Sequence, residues 1–311
     1  MATALPARAD APGPVTFSVM TYNVEGLPWP VRHGRGAALR KIGHELGAMR
    51  AKGVQPDVVL VQEGFRDEMW ALIDASGYPY VARGPRKGQR DENYLRDEKT
   101  DYRRVKYRDR GEGLGKWGSS GLWVLSDHPI ESVKSHAYHY CAGLDCLANK
   151  SVMLVAVQVA GLSTPVEIAN THLNSHGASK VPSSRFNAAH HLQAEELGRF
   201  LQASRTPGAP LIVGGDFNVR RSPGRFDYMM SEYPFMVVSR WCHERPGACD
   251  TQISYDGDAP WLNTQDLIGF LGGDAVEITP TAVEATFDGA AEPVLSDHDG
   301  YKVTFKLVPK G

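Results

Sequence analysis

The sequence lacks an excess of positive charge, a long apolar run and a nucleotide-binding loop. Its 311 residues carry a formal net charge of −2, whereas a dedicated duplex-binding surface is usually basic. No apolar run approaches the ~20 residues that span a bilayer. The Gly-Lys-Ser/Thr phosphate loop does not occur, so use of a nucleoside triphosphate is not expected. The Gly-x-Ser-x-Gly nucleophile motif does not occur either.

The first 14 residues contain no apolar stretch of the kind that a signal peptide requires. They are small and proline-rich, and we expect a disordered or mature N-terminal segment over 1–14. Hydrophobic residues make up 42% and charged residues 23% of the chain, which is ordinary globular composition. No repeat or linker divides the remainder, so we expect a single catalytic domain over 15–311.

Cysteine is scarce, and its four copies form two close pairs, Cys141 with Cys146 and Cys242 with Cys249. An even count in close pairs favours two disulfides and an oxidising compartment. Free thiols and a four-thiolate zinc site are the alternatives. Zinc is disfavoured because its paired ligands usually have two to four residues between them, and the second pair has six.

Apolar segments of strand type alternate with a few segments of helical periodicity, which predicts one large α/β or α+β sandwich. The predicted helices cover 37–51, 69–75 and 185–202. The predicted strands cover 15–23, 57–63, 120–125, 151–160, 166–172, 265–270, 275–279 and 301–308, with a further buried strand opening at 211. Residues 220–262 are rich in Pro, Gly and Asp and are expected to be irregular.

The segment 211–219, Leu-Ile-Val-Gly-Gly-Asp-Phe-Asn-Val, places Asp216 and Asn218 directly after a buried strand. Residues two apart in extended backbone share a face, so an acid and an amide would lie side by side. An Asx turn is the alternative for this segment alone. The pattern recurs, however, because polar residues also end or follow four other apolar segments, at Asn23, Glu63, His172 and Asp297-His298.

Such a set of acids, amides and histidines predicts metal-assisted attack of water on a phosphate ester. Other polar residues receive a structural interpretation. Asp127 and His128 precede a proline in a turn, and His190 and His191 lie in a predicted helix, where we expect them to be solvated. Residues 83–116 are basic with interleaved acids and tyrosines; a solvated loop and a phosphate or lipid-headgroup contact are both open.

Four motifs resemble, in order, those of the endonuclease/exonuclease/phosphatase superfamily. They are Thr21-Tyr22-Asn23-Val24-Glu25-Gly26, Val61-Gln62-Glu63, Gly215-Asp216-Phe217-Asn218 and Ser296-Asp297-His298. Three less specific segments resemble the neutral sphingomyelinase branch: Thr171-His172-Leu173, Leu147-Ala148-Asn149-Lys150 and Gln193-x-x-Glu196-Leu197. The resemblance runs from about residue 15 to residue 308 and implies a four-layer α/β sandwich with two facing, mainly antiparallel sheets flanked by helices.

The resemblance also implies a divalent ion, Mg²⁺ or a similar ion such as Mn²⁺. Glu63 and Asn23 would hold it, with Glu25 as a helper and His298 as a further candidate ligand. Lys150 and Asn174 would contact the substrate.

Catalysis is implied for a second group of residues. His298 would be the general base, supported by either Asp297 or Asp266. Asp216 and Asn218 would orient water and phosphate, while His172, with Asn174, would stabilise charge on the phosphate oxygens.

The resulting hypothesis is a metal-dependent phosphodiesterase that hydrolyses sphingomyelin or a related phospholipid. A nuclease or phosphatase on the same fold is the first alternative, and a non-catalytic effector is the second. We expect a monomer that makes peripheral contact with membranes and has no dedicated nucleic-acid surface. The cysteine pairs and the resemblance together predict a secreted or periplasmic protein.

Overall fold

The computed structural model describes residues 13–27, 31–90, 100–253 and 259–310. Thirteen strands lie within these ranges: β1 (Val15–Asn23), β2 (Val58–Gln62), β3 (Tyr80–Arg83), β4 (Trp123–Ser126), β5 (Ile130–Ala137), β6 (Ser151–Val157), β7 (Val166–His172), β8 (Leu211–Asp216), β9 (Met236–Val237), β10 (Asp250–Gln252), β11 (Asp266–Leu271), β12 (Val276–Thr286) and β13 (Gly300–Pro309). The helices there are α1 (Arg35–Lys52), α2 (Met69–Ser76), α3 (Thr100–Arg104), α4 (Ser183–Ser204), α5 (Pro223–Glu232) and α6 (Val238–His243).

The strands form two sheets. The first has the order β10-β12-β13-β1-β2-β4-β3, and the second has the order β5-β6-β7-β8-β11-β9. Parallel pairing occurs between β1 and β2, between β7 and β8 and between β10 and β12, and the other pairs are antiparallel. The predicted pair of mainly antiparallel sheets is confirmed.

Successive side chains along the central strands point to opposite faces of their sheet, and this alternation builds the layers. On β8, Ile212 faces the other sheet, where it joins a core that includes Leu60 and Phe305. Its neighbours Leu211 and Val213 pack instead with the apolar face of α4 and α5. Helices α1 and α2 cover the outer face of the first sheet in the same way. Helix, sheet, sheet and helix therefore make the four predicted layers.

Two glycines let β8 pass closely between its neighbours. A Cβ on Gly214 would lie 2.5 Å from the Leu60 side chain of the facing sheet. Gly215 has φ +148°, and its Cβ would lie 2.0 Å from the Thr171 carbonyl oxygen on β7. The glycine pair in the segment 211–219 thus serves close packing of the strand that carries Asp216.

We expect Gly215→Ala to lower the free energy of unfolding by about 1–3 kcal/mol or more, because backbone must shift and the positive φ disfavours any side chain. Urea unfolding measures the loss. Gly224→Ala is the matched control, since Gly224 lies in α5 with no atom within 4 Å of an added Cβ. That control should be neutral or stabilising by about 0.5–1 kcal/mol. Equal stability of the two variants would contradict the packing argument.

The expectation of irregular structure over 220–262 was wrong, because α5, α6, β9 and β10 lie there. Pro223 stands in the first turn of α5, where a missing N–H costs nothing, so the proline begins the helix. Strands β3 and β5 were not predicted. Most of β5 is exposed at the edge of its sheet, so its sequence shows no apolar alternation. In the basic segment 83–116, residues 91–99 lie outside the described ranges, and α3 and a 3₁₀ turn (Arg108–Arg110) follow.

Both predicted disulfides are present, Cys141–Cys146 and Cys242–Cys249, and the zinc and free-thiol alternatives fall away. Each closes a short loop outside the sheets. Among the described residues, none of the helices has the length and apolar character to cross a membrane.

Candidate active site

The polar residues that follow the central strands converge on one edge of the sandwich. Parallel strands end at the same edge, so Asn23 on β1 lies beside the end of β2, and His172 on β7 lies level with Asp216 on β8. The Asn23 amide donates to Asp216 Oδ2 over 3.1 Å and to Glu63 Oε1 over 3.2 Å. One buried side chain thereby joins the acids of the two sheets.

His298 and Asp266 complete this edge. Asp266 begins β11 and pairs in register with Asp216 on the neighbouring strand. His298 lies in the loop before β13, and its Nδ1 donates to Asp266 Oδ2 over 2.6 Å. The sequence left Asp297 and Asp266 open as supports for His298. The structure places Asp266 in that position, while the Asp297 side chain is exposed to solvent.

The carboxylates set the protonation of this pair. Burial acts to lower the pKa of His298, but the charges of Asp266, Asp216 and Asp297 outweigh it and raise that pKa to about 10. Burial, with the nearby Asp266, raises the pKa of Asp216 to about 7. The pKa values of Asp216 and His298 are thus both raised above their ordinary values, and perturbed pKa values of this kind cluster at functional sites.

Glu63 follows β2 in a left-handed conformation, with φ +59°. Asn218 and Glu25 also have positive φ, at +53° and +48°. Non-glycine residues in this region are uncommon, and their concentration in the loops of one site indicates that side-chain placement outweighs backbone strain there. Burial raises the pKa of Glu63, and in the described part of the chain no lysine or arginine forms an ion pair with it.

His172 lies fully inside the site. Its Nε2 is 3.3 Å from Asp216 Oδ2 and 3.0 Å from Lys150 Nζ. Burial, with the charge of Lys150, lowers the pKa of His172 well below its ordinary value, so the ring is neutral and can accept from the lysine. Lys150 also donates to the Leu173 carbonyl and to Asp145 Oδ2, over 2.8 and 3.1 Å. A buried cation is thus fixed next to the imidazole.

Two of the three predicted asparagines, Asn218 and Asn174, bind backbone groups. The side-chain amide of Asn218 donates to the Leu173 carbonyl over 3.0 Å, and its backbone N–H donates to Asp216 Oδ1 over 3.0 Å. Asn174 accepts from the backbone of Ala142 over 2.8 Å and donates to the carbonyl of Ser175 over 3.0 Å. In this conformation both side chains fix the loops around Asp216 and His172.

Glu25 has two arginine partners. Its carboxylate pairs with Arg32 at 2.5 Å and with Arg35 at 3.4 Å. Its backbone N–H donates to the side-chain oxygen of Asn23 over 3.0 Å. The loop of Glu25 therefore helps to orient Asn23, while its charge is matched by arginines.

Sequence reasoning missed several residues that shape the site. The Gln265 amide lies 2.8 Å from His298 Nε2, and its position beside Asp266 was the only available signal. Arg225 is buried and donates to the carbonyls of Asn218 and Asn174, over 3.0 and 3.4 Å. It lies in the segment expected to be irregular, so its sequence carried no signal.

His190 is fully buried, so its expected solvation was wrong. Its Nε2 lies 2.9 Å from the Phe217 carbonyl, between Asp216 and Asn218. The helical pattern alone could not show that this face of α4 meets the loop after β8. By contrast, Asp127 and His128 have the structural role expected, since they bind Arg50 and Asp57.

A second histidine–acid cluster lies between the end of β5 and α4. Glu196 Oε2 is 2.7 Å from His136 Nε2 and 3.0 Å from His139 Nδ1. The same carboxylate accepts the backbone N–H groups of His139 and Tyr140. Because N–H donors surround both oxygens, we interpret Glu196 as a hydrogen-bonding centre for residues 136–140.

The donor set at the main cluster fits a hard divalent cation. Oxygen atoms of Glu63 and Asn23 are the ligand type that such ions prefer, and the half-buried Glu63 carboxylate forms no ion pair with a lysine or arginine of the described residues. The ligand atoms of Asp216, Asp266 and His298 also lie within 4.8 Å of one another. A cation beside Glu63 would leave the His298–Asp266 pair for proton transfer.

The model of the Endonuclease/Exonuclease/phosphatase family matches residues 20–290. Among curated proteins, a sphingomyelinase of Mycobacterium tuberculosis is 25% identical over 209 residues, which is 66% of this chain and 34% of that protein. The match thus spans about a third of the length of this relative.

Solved structures share the fold at low identity. Beta toxin from Staphylococcus aureus has a TM-score of 0.63 and 17% identity, over 92% of this chain and 99% of the toxin. Sphingomyelinase C from Streptomyces griseocarneus has a TM-score of 0.60 and 19% identity, over 93% and 99%. A humanized D. rerio TDP2 has a TM-score of 0.58 and 15% identity, over 93% and 98%. A mutant of beta toxin, with a TM-score of 0.59 and 16% identity over 95% and 100%, was solved with bound magnesium ions.

Proposed function

Because the chain belongs to the Endonuclease/Exonuclease/phosphatase family, whose members hydrolyse phosphoric esters, we propose that it is a divalent-cation-dependent phosphodiesterase. We propose sphingomyelin or a related phospholipid as its substrate. The observation that carries the reaction is the His298–Asp266 pair, which lies on the same edge as Glu63, Asn23 and Asp216. The substrate rests on the relatives named sphingomyelinase.

In this proposal the attacking water displaces the Gln265 amide from His298 Nε2, and His298 takes the proton of that water there, because its Nδ1 is committed to Asp266. Asp266 holds the ring in one orientation and stabilises the imidazolium that forms. Asp216, oriented by Asn23 and the Asn218 backbone, positions the water or the phosphate.

The charge that develops on the phosphate oxygens meets the buried positive charge of Lys150, whose N–H groups are held by Asp145, His172 and the Leu173 carbonyl. His172 lies between this cation and Asp216. A preorganised charge of this type acts strongly where water is excluded. Glu63 and Asn23 would hold the cation, Mg²⁺ in our proposal. When bound, it would polarise the phosphate and lower the pKa of His298 towards the range of a working base.

Four substrates with Mg²⁺ test the proposal side by side: sphingomyelin, lysophosphatidylcholine, plasmid DNA and RNA. We expect release of phosphocholine from a choline phospholipid, loss of that activity with chelator and recovery with added Mg²⁺. Lipid hydrolysis that persists after chelation would refute the metal-assisted mechanism. Cleavage of DNA or RNA without lipid turnover would replace the proposed substrate.

A nuclease or phosphatase is the second candidate, and the basic segment favours it. Exposed cations follow one another there, at Arg104, Lys106, Arg108 and Arg110. Such a run could contact the phosphates of a nucleic acid. The net charge of −2 and the names of the relatives favour the phospholipid.

We also propose that the protein acts outside the cytoplasm, as a monomer. Its two disulfides are stable in an oxidising compartment. Non-reducing mass analysis of protein secreted by a bacterial host would detect both bonds.

A further inference from the structure

Three large apolar side chains project into solvent from two neighbouring segments. Trp117 is 67% exposed, Leu114 is 53% exposed and Leu144 is 43% exposed. Leu144 belongs to the loop closed by the Cys141–Cys146 disulfide. The two segments meet at Gly111, where an added Cβ would lie 3.4 Å from Leu144 Cα. Clustered exposed apolar groups of this size mark an interaction surface more often than isolated ones do.

Glu112 fixes the two segments to each other. Its Oε1 accepts from the backbone N–H of Gly143 over 3.0 Å, and its Oε2 accepts from the Tyr107 N–H over 3.2 Å. Arg185 on α4 neutralises the same carboxylate at 2.6 Å. Glu112 is buried, and its contacts tie the two segments to the body of the protein. The apolar cluster is therefore presented by a defined scaffold.

The cluster adjoins the candidate active site. The backbone N–H of Trp117 donates to the Leu147 carbonyl over 2.6 Å, three residues before Lys150. Asp145, next to Leu144, accepts from Lys150 Nζ over 3.1 Å. One short disulfide loop thus presents Leu144 to solvent on one side and Asp145 to the site on the other.

Cations border the apolar cluster. Lys106 and Arg108 are exposed, and the Lys106 stem lies beside Gly113. Tryptophan favours the boundary between lipid headgroups and acyl chains, leucine side chains insert into the acyl region beneath it, and nearby cations favour anionic lipids. Aliphatic groups such as Leu114 and Leu144 offer no stacking face to a nucleic-acid base, so a lipid surface fits the whole cluster better.

We propose that Leu114, Trp117 and Leu144, bordered by Lys106 and Arg108, form a docking surface for a phospholipid bilayer. This inference rests on the proposed function, because docking next to the Lys150 segment would bring a lipid phosphodiester to the site. The occupant of this surface is the membrane itself, and residues 105–117 together with the disulfide loop make the contact.

Binding is tested first, without turnover. Full-length protein in chelator is sedimented with vesicles of phosphatidylcholine, and with vesicles in which phosphatidylserine replaces part of it. The double variant Leu114→Ser/Trp117→Ser should partition at least about tenfold more weakly than wild type, on the scale of two buried apolar side chains. Phosphatidylserine should strengthen wild-type binding, and Lys106→Gln/Arg108→Gln should remove that gain.

Val54→Ser is the matched control. Val54 is 53% exposed, as Leu114 is. It precedes the first residue of β2, whereas the site residue Glu63 follows the last, so Val54 and the candidate active site lie at opposite ends of this strand. The control should bind vesicles as wild type does. Equal binding by the double variant, or no vesicle binding by wild type, would overturn the proposal. Thermal unfolding of each variant verifies that the fold is retained.

Activity then separates this inference from the proposed function. With Mg²⁺, the double variant should hydrolyse a water-soluble short-chain substrate at the wild-type rate and vesicle lipid at least about tenfold more slowly. Equal losses on both substrates would overturn a docking role. If wild type hydrolyses no phospholipid while vesicle binding still depends on Leu114 and Trp117, the proposed substrate fails and the docking surface stands. Binding of single-stranded DNA that depends on Trp117, without vesicle binding, would replace the bilayer with a nucleic acid.

Discussion

His298→Ala should lower kcat/KM by about 10²–10⁴-fold, the contribution of a positioned general base. The ring of His298 is held by the Asp266 carboxylate, with Nδ1 2.6 Å from Asp266 Oδ2. The neighbouring His172 is a weak base, because burial and Lys150 lower its pKa and its Nε2 already accepts from Lys150. Initial rates on the preferred substrate, at saturating Mg²⁺, measure the loss.

The pH profile distinguishes a base from a structural histidine. The Asp266 charge raises the pKa of His298, so Asp266→Asn should lower that pKa. A base is active when deprotonated, and the acidic limb of the kcat/KM profile should therefore move to lower pH in this variant. The plateau rate should fall as well, because the ring loses its orienting partner and becomes less basic.

Asp297→Asn is the matched control for Asp266→Asn. It removes the same charge from the residue next to His298, but the Asp297 side chain is exposed and contributes less to the raised pKa. Its acidic limb should shift less, in the same direction, with a small change in plateau rate. A wild-type rate in His298→Ala, or identical profiles for the two aspartate variants, would remove His298 from the role of base.

Apolar runs predicted most of the central strands, because these strands are buried on both faces and their sequences are continuously apolar. Strands β2 (Val58–Gln62) and β8 (Leu211–Asp216) are of this kind, and both were predicted from the sequence. Strand β5 was missed because an exposed edge has little hydrophobic signal. Helix α5 was missed because its stability comes from Phe226 and Met229 packing on the second sheet, which no local pattern reveals.

The position of a site residue was predictable where a polar side chain ends or follows a predicted strand, as at Asn23, Glu63, His172 and Asp216. Whether Asp266 or Asp297 supports His298 was not predictable, because the choice depends on the pairing of β11 with β8. Arg225 and His190 support the site through backbone carbonyls. A backbone carbonyl is present at every residue whatever its type, so a side chain that binds one leaves no recognisable motif in the sequence.

Glu63→Gln should abolish most activity at low Mg²⁺, by on the order of 10²-fold or more, with partial recovery at high Mg²⁺. The two side chains have the same shape, so the left-handed backbone at Glu63 and the contact with Asn23 can persist. What is lost is the negative charge that would attract the ion. Rates measured across a Mg²⁺ titration report the shift in apparent affinity.

Thermal unfolding gives an independent test of the same role. Burial raises the pKa of Glu63, so above the ordinary pKa of glutamate its ionised form destabilises the metal-free fold. Glu63→Gln should therefore unfold at an equal or higher temperature than wild type in chelator, and it should gain less from added Mg²⁺. Glu25→Gln is the control, since that carboxylate is paired with Arg32 and Arg35 and should leave the Mg²⁺ response unchanged. A Mg²⁺ response that is lost in Glu25→Gln and kept in Glu63→Gln would move the ion away from the Glu63 carboxylate.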